Sequence, residues 1–302
     1  MTRLPSGDQF ELDAGPYRAV VTSVGATLRG LSFRERPVAD GFGERDRSTF
    51  GRGQVLAPWP NRLRDGRYRF SDRDLQLPLD EPERGNAIHG LVRWQEWTVE
   101  DARPDRVTLR HVIWPRDGYP FLVELAVTYT LDGEGLSVRT VAVNAGVDPC
   151  PFGAGFHPYF GGGPVDDIVL HCPGRTTLVT DGRGIPVGRE DVSGTAQDFR
   201  VRRPVGTVQL DTCFTDLARD AAGRAEVRLR HPDGAETAVW MDGAFPFVMV
   251  FSADTLLEPQ RRRALAVEPM SCAPNALQSG DGLVVLAPGE RWEGSWGVTV
   301  RS

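Results

Sequence analysis

No lysine occurs among the 302 residues; all 35 basic side chains are arginine. That absence excludes Schiff-base chemistry, enzymes that anchor pyridoxal phosphate through lysine, the P-loop lysine and the kinase lysine. Cysteine is scarce as well. Cys150, Cys172, Cys213 and Cys272 include no C-x₂-C pair, so zinc and dithiol motifs are missing and buried free thiols are expected. No stretch approaches the roughly 18 apolar residues of a membrane helix. Met1 to Gly15 carry no basic-then-apolar leader, so a cytoplasmic location and no membrane partner are expected. With 41 acidic against 35 basic groups the net charge is −6, which argues against nucleic acid as a partner.

Helix signals are few. Ala253–Arg263 and Ala273–Gln278 have room for a turn or two, limited by Pro259 and Pro274. What the chain has instead is glycine (34) and proline (23), scattered as turn punctuation between short alternating runs. Phe121, Val123, Leu125, Val127, Tyr129 and Leu131 alternate with smaller or more polar neighbours. Asp132-Gly-Glu-Gly then turns the chain into Leu136–Val143. Ala225, Val227 and Leu229 alternate with charged residues before His231-Pro-Asp-Gly leads into Thr237–Met241, and a third hairpin turns at Arg103-Pro-Asp105 between Trp97 and Ile113. Strands from near residue 17 to residue 300, without a linker or a repeat, predict one domain over residues 1–302. Its expected class is all-β, a large antiparallel β-sandwich, with Gly41–Gly53 and Gly161–Pro164 as internal loops.

Five histidines are present. His111 sits on the alternating face of a strand, His231 in a turn, and His171 at the end of a short run. His157 lies in the glycine-rich Pro151-Phe-Gly-Ala-Gly-Phe-His-Pro-Tyr-Phe-Gly-Gly-Gly163, and His89 in Asn86-Ala-Ile-His-Gly-Leu-Val-Arg-Trp94. A lone loop histidine is more often a satisfied hydrogen-bonding group than a site residue. No H-x-x-x-H, H-x-H or H-x-x-E spacing supports a metal site. Glu268 follows the apolar run Ala264-Leu-Ala-Val267 and precedes Pro269, which reads as a carboxylate at the end of a buried strand, costly unless paired or functional. Asp211 occupies a similar place before Thr212-Cys-Phe214. On the residues alone each fits a structural turn acid as well as a site residue. Ala57-Pro-Trp-Pro-Asn-Arg-Leu-Arg-Asp-Gly66 crowds Trp59, Asn61 and Arg62 between prolines, as either a sugar- or anion-binding loop or a surface turn.

Taken in order, these segments carry a resemblance. Pro58-Trp-Pro-Asn-Arg62, Asp65-Gly-x-Tyr68, Ile88-His-Gly90, Asp117-Gly-Tyr-Pro-Phe121 and Gly155-Phe-His-Pro-Tyr-Phe160 are followed by Asp211-Thr-Cys-Phe214, Val267-Glu-Pro-Met270, Pro274-Asn-Ala276 and Leu286-Ala-Pro-Gly-Glu290. Their collinear order resembles the aldose 1-epimerase (galactose mutarotase-like) family along essentially the whole chain. The resemblance implies the family's large β-sandwich (a supersandwich) with an open sugar-binding face, and cofactor-free interconversion of the α and β anomers of a free aldose. It implies His157 as general acid and Glu268 as general base. His89 would lie near the ring oxygen, Arg62 and Asp211 would hold sugar hydroxyls, and Asn61, Trp59 and Arg93 are further candidate contacts. A small monosaccharide would be the partner of a monomer or homodimer. The chain departs from the well-studied galactose mutarotases at Pro269, where they carry threonine, and at Gly90-Leu91, where a glycine pair is common. The 86–94 segment looks closest to a bacterial branch with members tied to sulfoquinovose breakdown, in which Arg93 or another pocket arginine would face a sulfonate; a hexose 6-phosphate is the other anionic sugar considered. A glycoside hydrolase using Asp211 and Glu268, or a carbohydrate-binding protein without catalysis, are the other classes considered.

Overall fold

The alternating runs assemble into two large antiparallel sheets in the computed structural model, which describes residues 3–161 and 163–301. Gly162, inside the expected Gly161–Pro164 loop, lies outside those residues. The nine-stranded sheet runs in the order Thr98–Arg103, Arg106–Ile113, Val123–Leu131, Leu136–Asn144, Arg291–Arg301, Glu236–Met241, Ala225–Arg230, Val169–His171, Arg203–Pro204. The expected hairpins are its ladders, although the run that begins at Phe121 enters the sheet only at Val123. Alternation does the work: Val123, Leu125, Val127, Tyr129 and Leu131 are buried while Glu124 between them is exposed. A four-stranded N-terminal sheet, Gln9–Ala14 to Arg36–Pro37, is tied to the last strand, where the Val300 amide donates to the Tyr17 hydroxyl at 2.9 Å.

The eight-stranded sheet carries the site. Its order is Pro186–Asp191, Gly174–Thr180, Asp211–Leu217, Phe247–Phe251, Ala264–Met270, Gly155–Phe156, Val55–Leu56, with Tyr159–Gly161 also pairing Ala264–Met270. Its inner face gives Phe214, Val248, Val250, Leu265, Val267 and Phe156 to the main core. There the Phe156 ring stands 5.1 Å from Trp296 of the nine-stranded sheet. Because side chains alternate along a strand, the intervening residues must face the other way.

Two expectations are corrected. Ala253–Arg263 forms turns rather than a helix, and the helical residues described are only Ala276–Ser279 and a 3₁₀ turn at Val165–Asp167. Glu268 does not end its strand: Ala264–Met270 continues through Pro269, paired with Val248, and all seven residues are buried. Proline ends the run in sequence terms because it lacks an amide donor, yet here the ladder accommodates it. All four cysteines are free and buried, and no helix among the described residues is long and apolar enough to cross a membrane.

Candidate active site

The outer face of the eight-stranded sheet holds two small apolar clusters, one with Cys213, Phe247, Met249 and Met270, the other with Tyr159, Ala266 and Phe251. Between them the ladder places the ionisable groups. Cys213 stands opposite Met249, and Met249 opposite Glu268. Gly155 stands opposite Met270 and Tyr159 opposite Ala266 in one continuous register, which sets His157 directly across from Glu268. The two candidate residues are thus a cross-strand pair, with His157 Nε2 3.4 Å from Glu268 Oε1. The neighbouring row is Asp211, Phe251, Ala266 and Tyr159. Asp211 remains 41 % exposed at the rim, so it can meet solvent or a ligand while Glu268 cannot shed its surroundings.

Burial governs the proton chemistry of the pair. It pushes the Glu268 carboxyl well above its ordinary value, assisted by the Asp211 carboxylate and opposed by the Arg62 cation. It pushes His157 down to about 3, with the cations of Arg93, Arg52 and Arg62 acting in the same direction. Both shifts favour the neutral forms of the two groups, whose facing atoms lie within reach of each other. His157 Nδ1 and Glu268 Oε2 have no protein hydrogen-bond partner, which is rare for buried polar atoms and marks this place out from the ordinary core.

His89 reaches the pair from a different element. Its ring lies 5.3 Å from that of His157, edge to face. The short strands Arg62–Arg64 and Asn86–Ile88 pair antiparallel, and just beyond their ends Asn61 and His89 lock together. The His89 amide donates to the Asn61 carbonyl at 2.9 Å, and the Asn61 amide donates to His89 Nδ1 at 3.2 Å. An accepting Nδ1 assigns the proton of the neutral ring to Nε2. Burial first, then the charges of Arg93, His157 and Arg62, hold His89 well below its ordinary value, so it is neutral at pH 7. Both Asn61 (φ 57°) and His89 (φ 63°) are left-handed, a strained state for side-chain-bearing residues that clusters at functional sites. Gly90 is required beside them: a Cβ there would meet the Ala57 carbonyl oxygen at 2.0 Å.

Arg62 is held by a residue that sequence reading did not single out. Its Nε donates to both Glu81 oxygens, at 2.9 and 3.1 Å, and Glu81 also accepts from Asn86 Nδ2 at 2.8 Å. From that anchor Arg62 Nη1 lies 3.6 Å from Asp211. Glu81 had no local signal beyond an acidic pair before Pro82, because its role depends on a fold-level contact across 19 residues.

The three further candidates fare differently. Trp59, at 3 % exposure, belongs to the main core rather than to an open surface turn. Asn61 turns its side-chain oxygen to the Arg62 amide and serves His89 rather than open space. Arg93 is mostly buried, bound to Asp80 at 2.7 Å and to the Ile88 carbonyl at 3.1 Å, with its Nε unpartnered. His111, His171 and His231 lie away from the pair; His231 bonds Thr237 Oγ1 at 2.9 Å. No group of three or more metal-ligating side chains occurs among the described residues.

Comparison with known proteins gives the family and the fold. The family model described as Aldose 1-epimerase matches residues 8–299. YihR of Escherichia coli K12, described as uncharacterized, is 33 % identical over 94 % of this chain and 91 % of its own. Human galactose mutarotase is 29 % identical over 67 % of this chain and 64 % of its own. In three dimensions a GalM/aldose epimerase homologue from Caenorhabditis elegans superposes with a TM-score of 0.88, covering 97 % of this chain and 98 % of that one at 18 % identity.

Proposed function

The chain belongs to the aldose 1-epimerase family, and from that premise we propose that it is a mutarotase, interconverting the α and β anomers of a free aldohexose by general acid–base catalysis. The observation that carries the reading is the buried His157–Glu268 pair, with His89 beside it and Arg62 and Asp211 at the rim.

Mutarotation moves two protons in opposite senses. Glu268, as carboxylate, takes the proton of the anomeric hydroxyl while His157, as imidazolium, gives one to the ring oxygen. The C1–O5 bond breaks, C1 becomes an aldehyde carbonyl, C1–C2 rotates, and reclosure on the other face returns both protons. Ring opening therefore turns a charged pair (imidazolium and carboxylate) into a neutral one. In a buried apolar setting the neutral pair is favoured, so the charged form that starts the step is reached by passing a proton from Glu268 to His157, and opening returns the pair to its favoured neutral state. Positioned acid–base groups of this kind contribute about 10²–10⁴-fold each. Neutral His89, donating from Nε2, suits the ring oxygen, and Arg62, fixed by Glu81, offers its remaining donors to hydroxyls.

One observation favours a second substrate class. Arg93 acts on both histidines and leaves a buried Nε without a protein partner, which suits a sulfonate or phosphate on the sugar. Against it, Arg93 is already neutralised by Asp80, and Arg62 by Glu81. The test is NMR exchange between α and β anomers over a panel of glucose, galactose, sulfoquinovose and glucose 6-phosphate. Exchange faster than the spontaneous rate, greatest for a neutral hexose, is expected. Greatest acceleration of an anionic sugar would move the assignment to that class. Binding without any acceleration would leave a carbohydrate-binding protein and overturn the proposal.

A further inference from the structure

The His157 imidazole is held on its second face by a segment to which the proposed mechanism assigns no role. Tyr159 stacks on it, rings 4.9 Å apart and 8° from parallel. The Arg52 guanidinium lies over the Tyr159 ring, 4.5 Å from its centre. Arg52 is only 4 % exposed, and its Nη2 is paired with Asp40 at 3.0 Å, which in turn binds Arg263 at 2.7 Å. The same segment grips the histidine's backbone: the Gly53 amide donates to the His157 carbonyl at 2.9 Å and the His157 amide to the Gln54 carbonyl at 3.2 Å. The Tyr159 hydroxyl donates to the Phe50 carbonyl at 3.0 Å. Gly51 (φ 74°) passes so near that a Cβ would sit 2.6 Å from His157 Cδ2.

We propose that Arg52 is a positioning residue for the acid–base pair, acting through the Tyr159 ring to fix the plane of His157 opposite Glu268 and to set the charge that this imidazole feels. The inference rests on the mutarotase reading of the same site. A buried arginine stacked on an aromatic ring and neutralised on its outer side costs desolvation, which a purely structural role at this place does not require. The groups facing His157 are Glu268 from its own sheet, His89 from the 86–90 segment, the cations of Arg62 and Arg93, Asp211 along the next row, and the Tyr159 hydroxyl. Of the three cations that act on it, Arg52 is the one stacked on the Tyr159 ring, with its Nη2 turned to Asp40.

Removing that cation makes protonation of the pair easier, so both limbs of the kcat profile move to higher pH. Arg52→Met, which leaves Asp40 paired with Arg263, is expected to lower kcat about tenfold with KM within about twofold, since a catalytic group is misplaced but no sugar contact is lost. Arg52→Lys restores the charge without the planar fork and should return the limbs toward their original positions while leaving part of the kcat loss. The His157 ring signals, followed by NMR titration of the folded protein, should shift to higher pH in Arg52→Met whether or not a sugar is turned over. Tyr159→Leu, which keeps Arg52 but removes the ring, should reproduce the kcat loss and serves if Arg52→Met fails to fold. Wild type that accelerates no sugar would overturn the mutarotase reading alone, the titration still reporting on Arg52. Active wild type with Arg52→Met or Tyr159→Leu unchanged in kcat, altered only in KM, or with an unmoved His157 titration would overturn this proposal.

Discussion

The two faces of the eight-stranded sheet are built from the same strands, yet they obey different rules. Toward the nine-stranded sheet, Phe156, Val248, Val250, Leu265 and Val267 belong to the main apolar core, where Phe156 meets Trp296. One residue along each strand, the outer face carries His157, Met249, Glu268, Tyr159 and Asp211. The inner face is stabilised by burial; the outer one spends part of that stability on two ionisable groups kept out of water. The lesson is that a period-two strand can supply core and candidate site from adjacent residues, with the division enforced by geometry alone.

Substitutions at neighbouring positions should separate the faces. Phe156→Ala is expected to cost about 3–5 kcal/mol of stability through the cavity left against Trp296. Denaturant unfolding should show that loss while the folded fraction keeps its kcat. His157→Ala or Glu268→Gln, one residue away or across the ladder, should lower kcat at least about 100-fold in anomer exchange without unfolding the chain. Near-normal turnover in either would erase the distinction. A smaller effect belongs to the rim: Arg62→Met should raise KM roughly tenfold, with less change in kcat, since its proposed role is to hold hydroxyls rather than to move protons.

The smallest effect concerns stability and pH. Glu268 binds its proton more tightly folded than unfolded, so its contribution is favourable at low pH and declines as pH rises above the ordinary carboxylate range. Glu268→Gln removes that decline. Its Tm should exceed that of wild type at pH 8 by about 2 °C or more and converge with it near pH 4, as followed by calorimetry. A Glu268→Gln variant less stable than wild type at pH 8 would show the carboxylate to be well compensated.

Much of this division was legible in the sequence. Alternation in Val123–Leu131 and Ala225–Arg230, with turn residues between runs, led to the hairpins that exist. The segments around His89, His157, Asp211 and Glu268 were each singled out, but their convergence is a property of register, which no local pattern states. Pro269 hid the fact that Glu268 lies inside a strand, since proline reads as an ending. Trp59 hid its burial in the opposite way: a tryptophan between prolines looks like a surface loop, and only the packing shows it buried. Glu81 and Arg52 escaped notice because their value lies in partners that sequence spacing does not bring near, Arg62 for one and the Tyr159 ring for the other.

The direct opposition of His157 and Glu268 also bears on how the chain finds its native pairing. If Ala264–Met270 zipped up one residue out of step, Glu268 would enter the dry space between the sheets and Val267 would turn outward. Such a slip strands a carboxyl among apolar side chains with no partner, an arrangement that costs several kcal/mol, about as much as a whole domain's margin of stability. The pair proposed to work on the sugar thus also rejects misaligned strands as the sheet assembles.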